Sequence, residues 1–340
     1  MKKTISIQDI ANSLGLSRNT VSKALNGQHV PEKTRKLVLD KAKELNFKSM
    51  NYLNDSINKN YRILLLSGKP LSNINYYLGI IQSLENYCYD NNYQLFQYIF
   101  NKNYSSFEGI IEYLKNFNID GIVCIESFDH DFIKQILKLD FPICFIDFNY
   151  RLDFQSKKFD IVESDNYFSV LNLVNKIIKE KHKRNFSFVG DYKHCLSFYK
   201  RYSALNNALF FNNLAHNKEN DILLDDSFEY GNPNKLKFEI LNKVSKIDCF
   251  VCANDYIARS IINALKSLGK KVPQDVLVIG YDDANEATNA SPNITTISVD
   301  KKAIGQTAIK TLIIRIEDKN IASKIITIDS KIIERESTNN

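Results

Sequence analysis

The chain has 340 residues, 44% hydrophobic and 25% charged, a balance that excludes a disordered or fibrous chain and suits two or three globular domains. No apolar run reaches the roughly 18–20 residues of a membrane-spanning helix, and Met1-Lys2-Lys3 leads into polar sequence rather than a signal peptide, so a cytoplasmic protein with no membrane partner is expected. The net charge of +6 lies entirely in residues 1–49, where ten Lys/Arg face four Asp/Glu; the remainder holds 35 of each, so the basic head should meet a polyanion.

The head reads as three short helices. Ile7, Ile10, Ala11 and Leu14 recur at helical spacing, with Ser6 available as an N-cap. Gly15-Leu16-Ser17 forms a tight connection, and Ser17 can cap a second helix. That helix sets Val21, Ala24 and Leu25 on one side and Arg18, Asn19, Ser22, Lys23 and Asn26 on the other. A third helix follows Pro31, with Leu37, Val38, Lys41, Ala42 and Leu45 continuing the pattern. Two short helices joined by a glycine-containing turn make a helix-turn-helix, whose second helix enters the major groove. Its polar face has suitable chemistry: arginine hydrogen-bonds guanine at two points and asparagine does the same with adenine. Lys33, Arg35 and Lys36 suit phosphates, which add affinity without sequence preference. A solvated tail of the same charge would not carry this patterning.

The ordered run Thr4-Ile5-Ser6-Ile7-Gln8-Asp9-Ile10-Ala11, Gly15-Leu16-Ser17, Thr20-Val21-Ser22-Lys23-Ala24-Leu25-Asn26 and Val30-Pro31-Glu32-Lys33-Thr34-Arg35 resembles the LacI/GalR family of regulators. The resemblance implies base-reading positions at Arg18 and Asn19, and a set of DNA contacts at Thr4, Ser6, Ser17, Arg18, Asn19, Thr20, Ser22, Lys23, Asn26 and Thr34. The family's usual arginine three residues after the threonine is here Lys23. The likeness breaks down in the linker, residues 50–60 and the residues just before it. The usual proline is Ser49, the usual small alanine is Leu53, and the leucine wedge of the family's hinge helix is Ser56, with Ile57 one register away. Asn54 to Asn60 reads as flexible linker.

From Tyr61 onward, apolar strand-like runs alternate with amphipathic helices. The runs are Ile63–Leu66, Gln94–Ile99, Gly121–Ile125, Ile143–Ile146, Asn185–Val189, Cys249–Ala253 and Val276–Gly280, with helices at Tyr76–Asn91, Asp165–Glu180 and Asp255–Leu268. Alternation of this kind with near-continuous apolar strands predicts an α/β body of parallel, doubly wound sheets, and its length predicts two of them. Ligands of such sheets lie beyond the carboxyl ends of the strands. Asp147, Asn254 and Asp282 stand at such ends, where each either meets a ligand or caps the next helix; Asp165 and Asp255 are assigned to capping alone. The six cysteines, at 88, 124, 144, 195, 249 and 252, read as buried thiols. Cys249 and Cys252 fall three apart on one strand, on opposite faces, and nothing nearby completes a metal site.

Ala253-Asn254-Asp255, Gly269, Val272-Pro273-Gln274-Asp275-Val276, Gly280-Tyr281-Asp282-Asp283, Ser291-Pro292-Asn293-Ile294-Thr295-Thr296-Ile297, Gly305 and Arg335-Glu336-Ser337-Thr338 resemble the sensor domain of the same family. That domain is similar to periplasmic sugar-binding proteins, with two lobes joined by three crossovers. The resemblance places them near Phe159, Ala290 and Ala322, giving a head at 1–49 and a body at 61–340. Its first lobe is then about 61–158 with 291–321, its second about 159–290 with 322–338. Effector contacts carried over by position are Tyr76, Tyr77, Asp147, Arg201, Asn254 and Asp282, with Arg201 opening a helix. Ala204 and Leu205 stand where the family has glycine and an aromatic. Lys301 replaces a frequent phenylalanine, and either admits an anionic or more polar ligand or faces solvent. Carboxylates, an amide and a guanidinium between aromatic walls suit a sugar or sugar derivative and also a nucleobase.

The expected protein is thus a homodimeric repressor of operator DNA, controlled by a small-molecule effector, with no cofactor, no metal and no catalytic residues. The tail ending at Asn339-Asn340 leaves no room for an added tetramerising helix. A transport component would need a signal peptide and no basic head. An enzyme would need a motif, and neither G-x-G-x-x-G, G-x-S-x-G, a P-loop nor clustering of the five histidines is present. Since serine cannot unstack a base step as an apolar wedge does, a circular-permutation gel should reveal a shallower operator bend than a leucine-wedge regulator produces. A sharp kink would contradict the reading of Ser56.

Overall fold

The computed structural model describes residues 5–25, 30–45, 47, 60–68, 75–100, 106–149, 159–225 and 228–339. Thr4, Asn26 and the hinge positions Ser49, Leu53, Ser56 and Ile57 lie outside these. Residues through Tyr61 and residues from Arg62 onward form two compact units.

The first unit holds α1 (Ile7–Leu14), α2 (Arg18–Leu25) and α3 (Glu32–Glu44). Local chemistry sets the boundaries. The Ser6 hydroxyl accepts from the Asp9 N–H while the Asp9 carboxylate accepts from the Ser6 N–H at 2.8 Å, a reciprocal capping box. Gly15 ends α1 at φ 62°, a conformation that glycine adopts without a Cβ clash. The Ser17 hydroxyl accepts from the Thr20 N–H at 3.0 Å and so opens α2. Ile10, Ala11, Val21, Ala24, Leu25, Val38, Ala42 and Phe47 form the core. Leu37, expected among them, is 51% exposed; Val38 and Ala42 carry the inward stripe of α3 instead.

The body runs β1 (Arg62–Ser67), α4 (Asn75–Asp90), β2 (Gln94–Ile99), α5 (Phe107–Asn116), β3 (Gly121–Ile125), α6 (His130–Ile136), β4 (Ile143–Ile146) and β5 (Phe159–Ser164). It continues with α7 (Phe168–Lys181), β6 (Phe186–Val189), α8 (Leu196–Phe211), α9 (Pro233–Ile240), β7 (Cys249–Cys252), α10 (Asp255–Ser267), β8 (Leu277–Ile279) and α11 (Asn285–Asn289). It ends with β9 (Thr296–Val299), α12 (Lys301–Glu317), β10 (Ile325–Ile328) and β11 (Ser330–Ile333). One parallel sheet has the order β10-β5-β4-β3-β1-β2 and a second the order β6-β7-β8; β9 and β11 pair antiparallel. Strands β3, β4, β6, β7 and β8 are buried at every residue, as sheets covered on both faces require. All six cysteines are buried free thiols. No described helix is long and apolar enough to cross a membrane.

The strand pairing moves the boundaries between the lobes. Phe159–Ser164, expected to open the second lobe, pairs with β4 in the six-stranded sheet, Ile143 opposite Phe159. Ile325–Ile328, expected in the second lobe, pairs with β5, Ile325 opposite Ile161. Thr296–Val299, expected in the first lobe, joins β11, and bridges at Thr295 and Ser298 tie it to Ile279 and Asp282 of the second sheet. The chain therefore passes between sheets after Ser164, at Asp300 and at Asp329. Strand and helix periodicity identifies elements but carries no signal for the sheet edge that each strand joins.

Helix α12 packs on α4 and on β3, β4 and β5. A Cβ at Gly305 would lie 2.7 Å from that of Ser83 and 2.8 Å from the Ile80 carbonyl oxygen, so the two helices cross too closely for a side chain there. Further along α12, Arg315 grips Asp160 of β5 with two hydrogen bonds, 2.6 and 2.9 Å, both side chains 2% exposed. Asp160 also accepts from the Lys324 N–H at 2.8 Å, which delivers the chain to β10. Removing one partner of such a pair strands a buried charge. Arg315→Ala is expected to lower the unfolding free energy in urea by about 3–5 kcal/mol, and a loss below 1 kcal/mol would show that the pair contributes little.

Candidate functional site

On the head, α2 presents Arg18, Asn19 and Lys23 exposed and Ser22 half-buried, while Val21, Ala24 and Leu25 are buried. Ser6 and Ser17 are exposed beside this face, and Thr20 and Thr34 are half-buried. Thr20 meets the Ser17 hydroxyl at 2.8 Å, so both are committed to the helix start.

In the body a cavity of about 580 Å³ lies at the carboxyl ends of both parallel sheets. Tyr76, Tyr77, Asp147, Arg201, Asn254 and Asp282 all line it. Tyr76 and Tyr77 come from the first turn of α4, their rings edge to face with centroids 4.9 Å apart. Glu126, Asp147 and Asp282 come from just beyond β3, β4 and β8, at φ 47°, 63° and 109°. Residues with side chains rarely adopt this region, and three carboxylates are held there around one cavity.

Arg201 lies in the second turn of α8 rather than at its start, because the helix begins at Leu196. It is 4% exposed and well satisfied. Nε donates to the Asn166 side-chain oxygen at 2.9 Å, Nη1 donates to the Ala253 carbonyl at 2.5 Å, and Nη2 lies 3.7 Å from the Asp282 carboxylate. Its guanidinium carbon lies 3.4 Å from the Tyr281 ring centroid. Burial pushes Asp282 up to about 6, opposed by the Arg201 and Lys301 charges. Burial, and next the Asp282 charge, push the Tyr76 phenol up.

Several roles differ from those expected. Asn254 lines the cavity and also caps α10, accepting from the Ile257 N–H at 3.0 Å. Asp255, expected only to cap, is fully buried: it accepts from the Thr296 hydroxyl at 2.6 Å and the Ala284 N–H at 2.9 Å. Asp165 does cap α7, accepting from the Phe168 and Ser169 N–H groups at 2.9 and 2.8 Å. Asp147 accepts from the Ser197 hydroxyl and, at 3.2 Å, from the Ser197 N–H, so it reaches across to the N-terminal turn of α8. Lys301 donates to the Asp282 carbonyl at 3.0 Å and lies 5.6 Å from the Tyr76 ring centroid, at the edge of the cavity and not out in solvent. Ala204 and Leu205 are buried core of α8.

Sequence reasoning missed Glu126, Asp191, Ser197 and Glu286, and the aromatic walls Phe128, Phe198, Phe228, Tyr230 and Tyr256. Glu126 directly follows Gly121–Ile125, so the strand-end rule that selected Asp147 selects it too. The others sit on helices and loops where no periodic signal marks them.

A helix-turn-helix with an exposed polar reading face, followed by two parallel sheets closing on a polar and aromatic cavity, defines a ligand-responsive DNA-binding regulator. Residues 6–49 match the family described as bacterial regulatory proteins, lacI family, and residues 176–338 match the periplasmic binding protein-like domain. The HTH-type transcriptional repressor PurR of Photobacterium profundum is 26% identical over 342 residues, covering 97% of this chain and 98% of the relative. PurR of Photorhabdus laumondii is 28% identical over 338 residues, covering 97% and 96%. The fold is shared with the transcriptional regulator CelR–cellobiose complex (TM-score 0.71, 21% identity, 98% of this chain and 99% of the other). It is shared too with the lac repressor dimer bound to operator and the anti-inducer ONPF (TM-score 0.68, 18% identity, 99% of each chain). A LacI family regulator from Enterococcus faecium with bound ribose also matches (TM-score 0.66, 19% identity, 82% and 98%). The head thus matches the lacI family model and the body the periplasmic binding protein-like domain, and the relatives similar along the whole chain are transcriptional repressors.

Burial, and next the charge of Asp282, push Asp255 up to about 8. A carboxyl whose folded pKa is raised contributes its stability below the unfolded value near 4 and loses it as pH rises through the folded value. Asp255→Asn can still accept from the Ala284 N–H and can donate to the Thr296 hydroxyl. It is expected to flatten the fall in Tm between about pH 4 and 8, and an unchanged Tm–pH profile would remove the raised carboxyl from the account.

Proposed function

We propose that the chain is a cytoplasmic homodimeric repressor that binds operator DNA through α2 and releases or grips it according to a sugar or sugar derivative in the body cavity. The observation that carries this reading is the convergence of Tyr76, Tyr77, Asp147, Arg201, Asn254 and Asp282, drawn from four strand ends or helix starts and one helix interior, on one cavity. Carboxylates and an amide beside aromatic faces match a molecule whose every hydroxyl both donates and accepts. The cellobiose- and ribose-bound relatives of the same fold support the choice.

We take the lobes as residues 62–164 with 300–328 and residues 165–299 with 329–339. Asp147 and Ser197 then face each other across the cleft, as do Lys200 and Glu163. A ligand that competes for these polar contacts changes the lobe angle, a hinge motion of rigid bodies. In a dimer that motion alters the spacing of two heads reading half-sites about one helical turn apart. Effector and operator then change each other's affinity by the same factor.

A mobility-shift assay on the gene's own upstream region, with and without a panel of sugars and nucleobases, tests the proposal. Arg18→Ala and Asn19→Ala should each weaken the specific complex roughly 5- to 150-fold, leaving salt-sensitive non-specific binding. Asp282→Asn should keep the wild-type shift but lose its response to the effector. A response that survives Asp282→Asn, or specificity that survives both head substitutions, would displace the assigned residues; a response to a nucleobase alone would replace the saccharide.

A further inference from the structure

The start of α8 crosses the seam between the lobes both inside and outside the cavity. Inside it, Ser197 gives its hydroxyl and its N–H to Asp147, and both residues line the cavity wall. Outside it, one turn further along, Lys200 Nζ donates to Glu163 Oε1 of β5, and neither residue is among the described residues that line the cavity. A ligand can therefore take the place of the first contact and not of the second. The two ends of the second contact are unequal: the Glu163 side chain is 3% exposed and that of Lys200 29%, so the ammonium reaches an enclosed carboxylate from the rim.

That enclosure makes the contact costly to break. Glu163 Oε1 also accepts from the Thr327 hydroxyl of β10 at 3.3 Å, on its own sheet, while Oε2 is buried with no hydrogen-bond partner among the described residues. Burial pushes the carboxyl up, opposed by the Lys200 charge and hydrogen bond and reinforced by the Asp147 charge. Lys200 is carried by a helix anchored in the other lobe. The next residue, Arg201, donates to Asn166 and to the Ala253 carbonyl, and Ala204, Leu205 and Ala208 are buried. Parting the lobes takes the ammonium with α8 and leaves Glu163 either stranded as a buried charge or forced to protonate.

On the lobe division and sensor reading proposed above, we infer that Glu163 is a positioning residue: through Lys200 it latches α8 to the six-stranded sheet, opposes the lobe motion that an effector drives, and so sets the response without touching the effector. An effector that displaces Ser197 from Asp147 must still part Lys200 from Glu163, and that cost weakens its binding. Linkage fixes the direction of the effect. Removing the latch shifts the ligand-free population the same way as the effector does, so operator affinity without any small molecule moves toward its effector-bound value.

Hydrogen–deuterium exchange on the full-length protein, with no ligand added, reads the latch directly. The Leu196 N–H donates to the Phe148 carbonyl at 2.7 Å and the Ser197 N–H to Asp147 at 3.2 Å, so both amides are protected by bonds across the seam. Glu163→Gln keeps an acceptor for Thr327 and strands no charge. In it these two amides are expected to exchange about five-fold or more faster, while the β7 amides keep their rate. Lys200→Arg should retain the wild-type exchange, and adding Lys200→Met to Glu163→Gln should change nothing further. Should Glu163→Gln not fold, Lys200→Gln makes the same comparison from the more exposed side. In a mobility shift on the gene's own upstream region without small molecules, Glu163→Gln should change operator affinity about five-fold or more. Seam amides that exchange no faster, or a general acceleration that includes β7, would overturn the latch and leave the sensor reading standing. Faster seam exchange with unchanged operator affinity would keep the latch and overturn the lobe motion as the link between cavity and DNA.

Discussion

A buried guanidinium has five N–H donors and no way to shed its charge, so the chain around it must supply acceptors. At Arg201 these come from three separate parts of the body: Asn166 after the first crossover, the Ala253 carbonyl at the end of β7, and Asp282 beyond β8. Tyr281 covers its face and anchors its own hydroxyl on Ser164 and the Asp165 carbonyl, at 3.1 and 2.9 Å. The ends of β7 and β8 are thereby held against the point where the chain leaves the six-stranded sheet. The floor of the cavity is thereby held by hydrogen bonds among the protein's own groups.

The contacts across the cleft are of another kind. Asp147 with Ser197, the Leu196 N–H donating to the Phe148 carbonyl at 2.7 Å, Lys200 with Glu163, and Phe128 edge to face with His194 at 4.8 Å are polar or aromatic. Polar contacts that a ligand reaches exchange for its hydroxyls or water at small net cost, whereas apolar burial does not. Most buried apolar side chains sit along β1, β3, β4 and β5 on one side and β6, β7 and β8 on the other, with Leu196 of α8 packed against the first of these cores. On the lobe division proposed above, these polar contacts suit the proposed hinge. The positive-φ carboxylates Glu126, Asp147 and Asp282 line the cavity.

Buried polar groups outside the cavity serve the scaffold. Asp160 with Arg315 ties α12 to β5, and the His216 ring links Asn206 of α8, at 2.8 Å, to Asp221, at 3.0 Å, which accepts from the Phe188 N–H of β6. These pairs separate residues that face a ligand from residues that only hold the sheets. Asp255 is intermediate: it touches no ligand surface, yet its shared field with Asp282 links the cavity to the start of α10.

Much of this protein was legible in the residues themselves. Caps, a glycine at positive φ and a 3.6-residue apolar stripe dictate the three helices of the head, because those signals act within a few residues of one another. Strand-end polar residues were likewise visible, since a parallel sheet must present the carboxyl ends of its strands at one edge. What only the tertiary structure decided depends on partners distant in sequence. Arg315 and Asp160 are 155 residues apart, Asp147 and Ser197 are 50 apart, and the sheet that β5, β9 and β10 join depends on pairing energies summed over neighbours no local pattern encodes. The same holds for Asp255. Its place at a helix start reads as a cap, and only its enclosure by Thr296, Ala284 and Asp282 makes it a buried acid.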